Sequence, residues 1–143
     1  MKVREIQVSY FVTDREYDSK NVNSSESVFE IFQDLQNADR EKFCVVLLTS
    51  RNDILAFEVI HVGGVTEALI DPKLVFKAPI LTKGCSSLIF VHNHPGGNPD
   101  PSDEDKRITK VLKEAGTLLG FSVLDHIIVG DDNYFSFADN GLM

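Results

Sequence analysis

Basic residues are scarce in this sequence: 14 Lys and Arg stand against 22 Asp and Glu, for a formal net charge of −8 over 143 residues. Gripping a nucleic-acid backbone needs a basic face that displaces counterions, and this balance argues against direct DNA binding. Cysteine is scarcer still. Cys44 and Cys85 lie far apart and form no Cys-x-x-Cys pair, so they read as reduced, buried thiols in the core. No apolar run approaches the ~20 residues of a membrane span. The charged start, Met1-Lys2-Val3-Arg4-Glu5, has no apolar stretch behind it and does not read as a secretory signal. No internal repeat or low-complexity tract is visible. The chain therefore reads as cytoplasmic, without a membrane partner. What is present is a hydrophobic fraction of 43%, enough for a sizeable core, in a length that suits one domain.

Residues 3–13 alternate loosely, with Val8, Tyr10 and Val12 on one side, and read as a strand. Polar residues 14–25 read as a loop, so residues 1–24 form a strand-and-loop extension ahead of a domain over 25–143. Ser24 or Ser25 can cap a helix to about Leu35, with Val28, Ile31, Phe32 and Leu35 on one face. Phe43 to Leu48 is continuously apolar and reads as a buried strand. Ser50 to Asp53 is turn chemistry, and Ile54 to Val62 completes a hairpin. Asp71-Pro72 caps a helix to about Lys83, with a kink or early break expected at Pro79. Ser87 to Val91 is another buried strand. A helix starts near Ser102 and closes at Gly120. Val123 to Val129 and Tyr134 to Phe137 are closing strands around the Gly130-Asp131-Asp132-Asn133 turn. The order β, α, β, β, α, β, α, β, β predicts an α/β fold: one domain with a mixed β-sheet flanked by helices.

The chemistry concentrates where the strand before His92 ends. Residues i and i+2 of a strand share a face, so His92 and His94 present both rings to one side. Pro95 stops further pairing and Gly96-Gly97 allow a sharp turn. Asp105, in the first turn of the next helix, can swing back to the two imidazoles. Two histidines and a carboxylate holding one divalent ion leave a tetrahedral position for water, the layout of a catalytic zinc site. Hydrolysis also needs a base, and Glu58, an acid in the apolar strand Ala56-Phe57-Glu58-Val59-Ile60, is the candidate. Ser102 is a candidate oxyanion donor. A second reading of Ser102 and Asp105 is a helix capping box. His61 reads as a surface or edge residue, and His126 as a hydrogen-bonded structural histidine. A zinc deaminase would need His-x-Glu with Pro-Cys-x-x-Cys, which this chain lacks.

His92-Asn93-His94-Pro95-Gly96-Gly97 followed by Pro101-Ser102-x-x-Asp105 resembles the JAMM motif of JAB/MPN-type metalloproteases, and in detail the RadC branch. Phe43 to Leu48, Ser50-Arg51-Asn52, Glu58-Val59, Leu119-Gly120-Phe121 and Leu124 to Gly130 also look like RadC segments. The likeness covers roughly residues 25–143. It implies a JAB/MPN-like fold with a cytidine-deaminase-like layout, and one zinc ion per chain held by His92, His94 and Asp105. It implies Glu58 as the acid/base and Ser102 as the oxyanion helper. In the wider family this chemistry cleaves peptide or isopeptide bonds, so the partner implied is a peptide or protein substrate. RadC-like proteins also carry a DNA-repair label, and the alternative reading is a DNA-associated accessory protein. Many carry a helix-hairpin-helix segment upstream, for which residues 1–24 are too short. Gly96 stands where RadC proteins often have serine.

Overall fold

Phe43 to Leu48 offers no polar side chain to solvent, and a segment of that kind is stable only where both faces of a sheet are covered. It forms β1 (Lys42–Leu48), at the heart of the computed structural model, which describes residues 1–17, 21–66 and 68–143. β3 (Ser87–Asn93) is likewise buried at every position. β2 (Ile54–Val62), β4 (Ser122–Val129) and β5 (Tyr134–Ser136) complete a five-stranded sheet in the order β2-β1-β3-β4-β5. β1 pairs antiparallel with β2 and β3, β3 runs parallel to β4, and β5 returns antiparallel to β4. The sheet is mixed, as the element order predicted.

Each face of the sheet has its own core. On one face lie Cys44, Val46, Leu48, Ile89, Val91, Ile127 and Val129, covered by Val28, Phe32 and Leu35. Val28 and Phe32 belong to α1 (Ser25–Phe32), which Ser24 opens with a capping box to Ser27. α1 is shorter than its hydrophobic period suggests, because the chain tightens into a 3₁₀ turn over Gln33–Asn37 that still delivers Leu35 to the core. The other face carries Phe43, Val45, Leu47, Leu88 and Phe90. It is covered by Val75 and Phe76 of α2 (Pro72–Leu81) and by Ile108 and Leu112 of α3 (Asp103–Leu118). Asp71 caps α2 by accepting from the Lys73 amide at 2.9 Å. α2 ends at Leu81, short of Lys83, two residues after Pro79, whose ring nitrogen cannot donate to the preceding turn. Cys44 and Cys85 are free thiols, and burial pushes the Cys44 thiol up to about 12, so it stays protonated and behaves as a small apolar side chain.

The strand expected over residues 3–13 does not form. No ladder includes those residues, and Val3, Ile6, Tyr10, Phe11 and Val12 are exposed. Alternation prepares a segment for a sheet, but without a paired neighbour it gives neither hydrogen bonds nor burial. The segment touches the body through Tyr10 Oη, 2.9 Å from Thr82 Oγ1, and through Arg15, which pairs with Asp34 and lies over the rings of Phe32 and Phe57. Part of the loop expected over 14–25 falls on residues 18–20, outside the described residues. Among the described residues no helix is long and apolar enough to cross a membrane.

Candidate metal centre

The parallel pairing of β3 with β4 requires a crossover, and α3 supplies it. The end of β3 and the start of α3 therefore meet at one edge of the domain, where open α/β sheets place ligands. His92 is wholly buried on β3, opposite Phe43 of β1 and Ile128 of β4. Asn93 points the other way and ties β3 to the approach to β1: its Oδ1 accepts from the Lys42 amide at 2.7 Å and its Nδ2 donates to the Arg40 carbonyl at 3.0 Å. The His94 amide donates to the Val129 carbonyl at 2.9 Å, so strand-like pairing carries both imidazoles to the same side. The chain then turns through Gly97, at φ 92°, whose carbonyl accepts from the Asp131 amide at 3.0 Å. Gly130 lies so close that a Cβ on it would run into that same carbonyl and come within 2.9 Å of Pro99 Cδ.

α3 opens with both halves of a capping box. Ser102 Oγ accepts from the Asp105 amide at 3.0 Å, and Asp105 Oδ2 accepts from the Ser102 amide at 2.9 Å. The same carboxylate faces the histidines, so the capping box leaves Asp105 in reach of both imidazoles. Asp105 Oδ1 lies 3.3 Å from His92 Nε2, Asp105 Oδ2 lies 3.1 Å from His94 Nε2, and the two Nε2 atoms are 3.1 Å apart. Tetrahedral ligands at ~2.0–2.2 Å from one ion stand ~3.4 Å from each other, so these spacings fit a common cation. Among the described residues His92, His94 and Asp105 form a group able to hold a metal ion.

Proton accounting supports that fit. His94 Nδ1 donates to the Asn98 carbonyl at 2.8 Å, so a neutral His94 aims an Nε2 lone pair at a carboxylate. Either a second proton or a metal cation must lie between them. The hydrogen bond to Asp105 accordingly raises the His94 pKa, against burial and with help from the Asn98 carbonyl and the Glu41 charge. Burial opposes ionisation of Asp105, but its bonds with His92 and His94 prevail and hold the carboxyl well below the usual carboxylate range.

Of the residues expected at the site, the structure brings together His92, His94, Asp105 and Ser102. Glu58 lies on the same face of the sheet as His92: it pairs with Val45, which pairs with Phe90, so its row crosses to β3 over roughly 10 Å, one same-face step from His92. A further acid near His94 is Glu41. Extending the Phe43–His92 pairing by two residues sets Glu41 against His94, whose ring feels its charge. The Glu41 carbonyl accepts from the Gly63 amide at 2.8 Å and its Oε2 accepts from the Val65 amide at 2.7 Å. His61 is on the edge strand β2, as expected, opposite Phe43, with its Nε2 covered and lacking a hydrogen-bond partner. His126 is a hydrogen-bonded buried histidine, as expected, and its partner is His92: Nε2 lies 2.7 Å from His92 Nδ1.

Residues 22–142 match the family described as the RadC-like JAB domain. The chain belongs to this family. A UPF0758 protein of Chlorobaculum parvum is 42% identical over 130 residues, 87% of this chain and 58% of that protein. One of Syntrophotalea carbinolica is 44% identical over 121 residues, 84% of this chain and 53% of that protein. UPF0758 protein CT0611 of Chlorobaculum tepidum is 37% identical over 147 residues, covering 99% of this chain and 66% of that protein. The chain thus spans little more than half the length of the first two relatives. Membership and the His92–His94–Asp105 group place this RadC-like JAB domain in the JAMM-type metallohydrolase superfamily.

Proposed function

We propose that this RadC-like JAB domain is a zinc-dependent hydrolase of peptide or isopeptide bonds. The observation that carries the proposal is the arrangement of two imidazole Nε2 atoms and one carboxylate at tetrahedral spacing, beside an exposed Ser102 and an acid. A divalent cation held there would supply a Lewis acid and lower the pKa of water to about 7. The chain's own groups supply the rest. Glu58, on the face of the sheet that carries His92, takes the proton of the attacking water and returns it to the leaving amine. Ser102 Oγ already accepts from the Asp105 amide, which leaves its own proton free for the developing oxyanion. A protein or peptide substrate suits a chain of net charge −8 better than DNA does.

The test is zinc content after purification without chelator, together with turnover of peptide and isopeptide-linked probes. Wild type should carry zinc and His94→Ala should not; equal sub-stoichiometric zinc in both would sink the proposal. Glu58→Gln should keep zinc and lose about 10²–10⁴-fold in turnover, the usual worth of a general acid–base. Glu41→Gln should retain turnover. The reverse result would move the role of base from Glu58 to Glu41.

A further inference from the structure

A metal-ligating histidine must offer a lone pair on one ring nitrogen, and its other nitrogen must carry the proton. Nothing in an imidazole fixes that choice; a neighbour must. We propose that Thr109 of α3 and His126 of β4 are positioning residues that lock the proton of His92 on Nδ1, so that its Nε2 always presents a lone pair to the cation. The proposal rests on the metal-binding reading of His92, His94 and Asp105, and not on the choice of substrate.

The direction of every hydrogen bond in the chain follows from its first member. The Asp105 carbonyl can only accept, and Thr109 Oγ1 donates to it at 2.7 Å. That spends the single hydroxyl proton, so at its other contact, 2.6 Å from His126 Nδ1, the threonine oxygen accepts and His126 Nδ1 donates. His126 is fully buried. Its ring stacks on Phe137 at 4.9 Å and meets the edges of Phe43 and Phe90, an enclosure that favours the neutral imidazole. With its proton on Nδ1, its Nε2 is an acceptor, and the 2.7 Å contact with His92 is therefore a donation from His92 Nδ1. The remaining nitrogen of His92, Nε2, faces His94 and Asp105 without a proton. The relay closes on itself: it begins at the backbone of one ligand, Asp105, and ends on the ring of another, His92. It crosses from α3 through β4 to β3, so helix placement and tautomer are set together.

Two measurements test it. The first is the ring-nitrogen NMR spectrum of metal-free wild type at a pH where the imidazoles are neutral. The expected pattern is a protonated Nδ1 and an unprotonated Nε2 on both His92 and His126. A proton on Nε2 of either ring would overturn the relay, and this arm needs no variant. The second is zinc affinity. Thr109→Val keeps the shape of the side chain and removes the hydroxyl, so His126 loses its tautomer bias and zinc binding should weaken about 10–100-fold. Thr109→Ser should restore both affinity and spectrum. Thr109→Val with wild-type affinity and an unchanged His92 spectrum would overturn the proposal. Wild type that binds no zinc would refute the metal reading itself, and the nitrogen shifts would still decide the relay.

Discussion

Asp105 serves two masters through one side chain. It closes the capping box of α3 with Ser102 and it faces both Nε2 atoms of the candidate ligands. Substitution can separate the two roles. Asp105→Asn keeps an acceptor for the Ser102 amide and loses the charge, so α3 should keep its start while zinc binding falls by at least about tenfold, the lower bound for disturbing even an outer partner of a ligand. Asp105→Ala loses both, and its metal-free form should be about 1 kcal/mol less stable than the Asn variant, the typical worth of a helix cap. Thermal melts and zinc titrations of the two variants read these effects. An Asn variant that binds zinc like wild type would remove Asp105 from the ligand set. At this scale the sequence was informative, because His92, His94, Ser102 and Asp105 sit within one short segment. Glu41 was not legible: it lies in the polar run Asp39-Arg40-Glu41-Lys42, and only the antiparallel register of β1 with β3 brings it to His94. Glu58 stood out for its apolar neighbours, and the register of β2 with β1 and β3 puts it on the face of the sheet that carries His92.

Two elements hold the site in shape from behind, β4 and the turn that follows it. Asp125 of β4 accepts from the Ser136 hydroxyl at 2.6 Å and from the amides of His126 and Ala138 at 2.7 and 2.9 Å. Burial raises its pKa above the ordinary value, against the pull of those bonds. A raised folded pKa means that the contribution to stability is full below the unfolded value of about 3.9 and is lost as pH rises through the folded one. Asp125→Asn should therefore be less favourable relative to wild type at pH 3.5 than at pH 7, and urea midpoints across that range check it. Parallel profiles would show that Asp125 is not the source of the slope. The β4–β5 turn acts on the metal loop through Gly130. Gly130→Ala would press its Cβ against the Gly97 carbonyl and Pro99 and push away the loop that follows His94. The cost should be about 1–3 kcal/mol, as for other overpacked sites, with weaker zinc binding alongside. A variant as stable as wild type and with full zinc affinity would show that the loop yields freely. All five strands and three helices of the described residues follow hydrophobic patterns visible in the sequence. The one expected element that failed, over residues 3–13, had the pattern but no partner strand.

On the scale of the molecule, the sheet is sealed between α1 on one side and α2 with α3 on the other, and the candidate centre sits where β3 leaves that enclosure. His94 reaches the surface, with 17% of its side chain exposed, while Asp105 and His92 stay inside at 4% and 0%. The buried links from His92 to Thr109 have one more consequence, in time instead of space. Their protons have no route to water while the layers are closed, so they can be replaced by deuterium only when the strands and α3 part. Exchange at His92 Nδ1 should therefore be as slow as that of the amides in β3, and slower still with zinc bound, since a ligand held by the folded form alone suppresses opening. Fast exchange at that nitrogen with protected β3 amides would reveal a site that breathes independently of its fold. Slow exchange would make a single ring proton a clock for the opening of the whole domain.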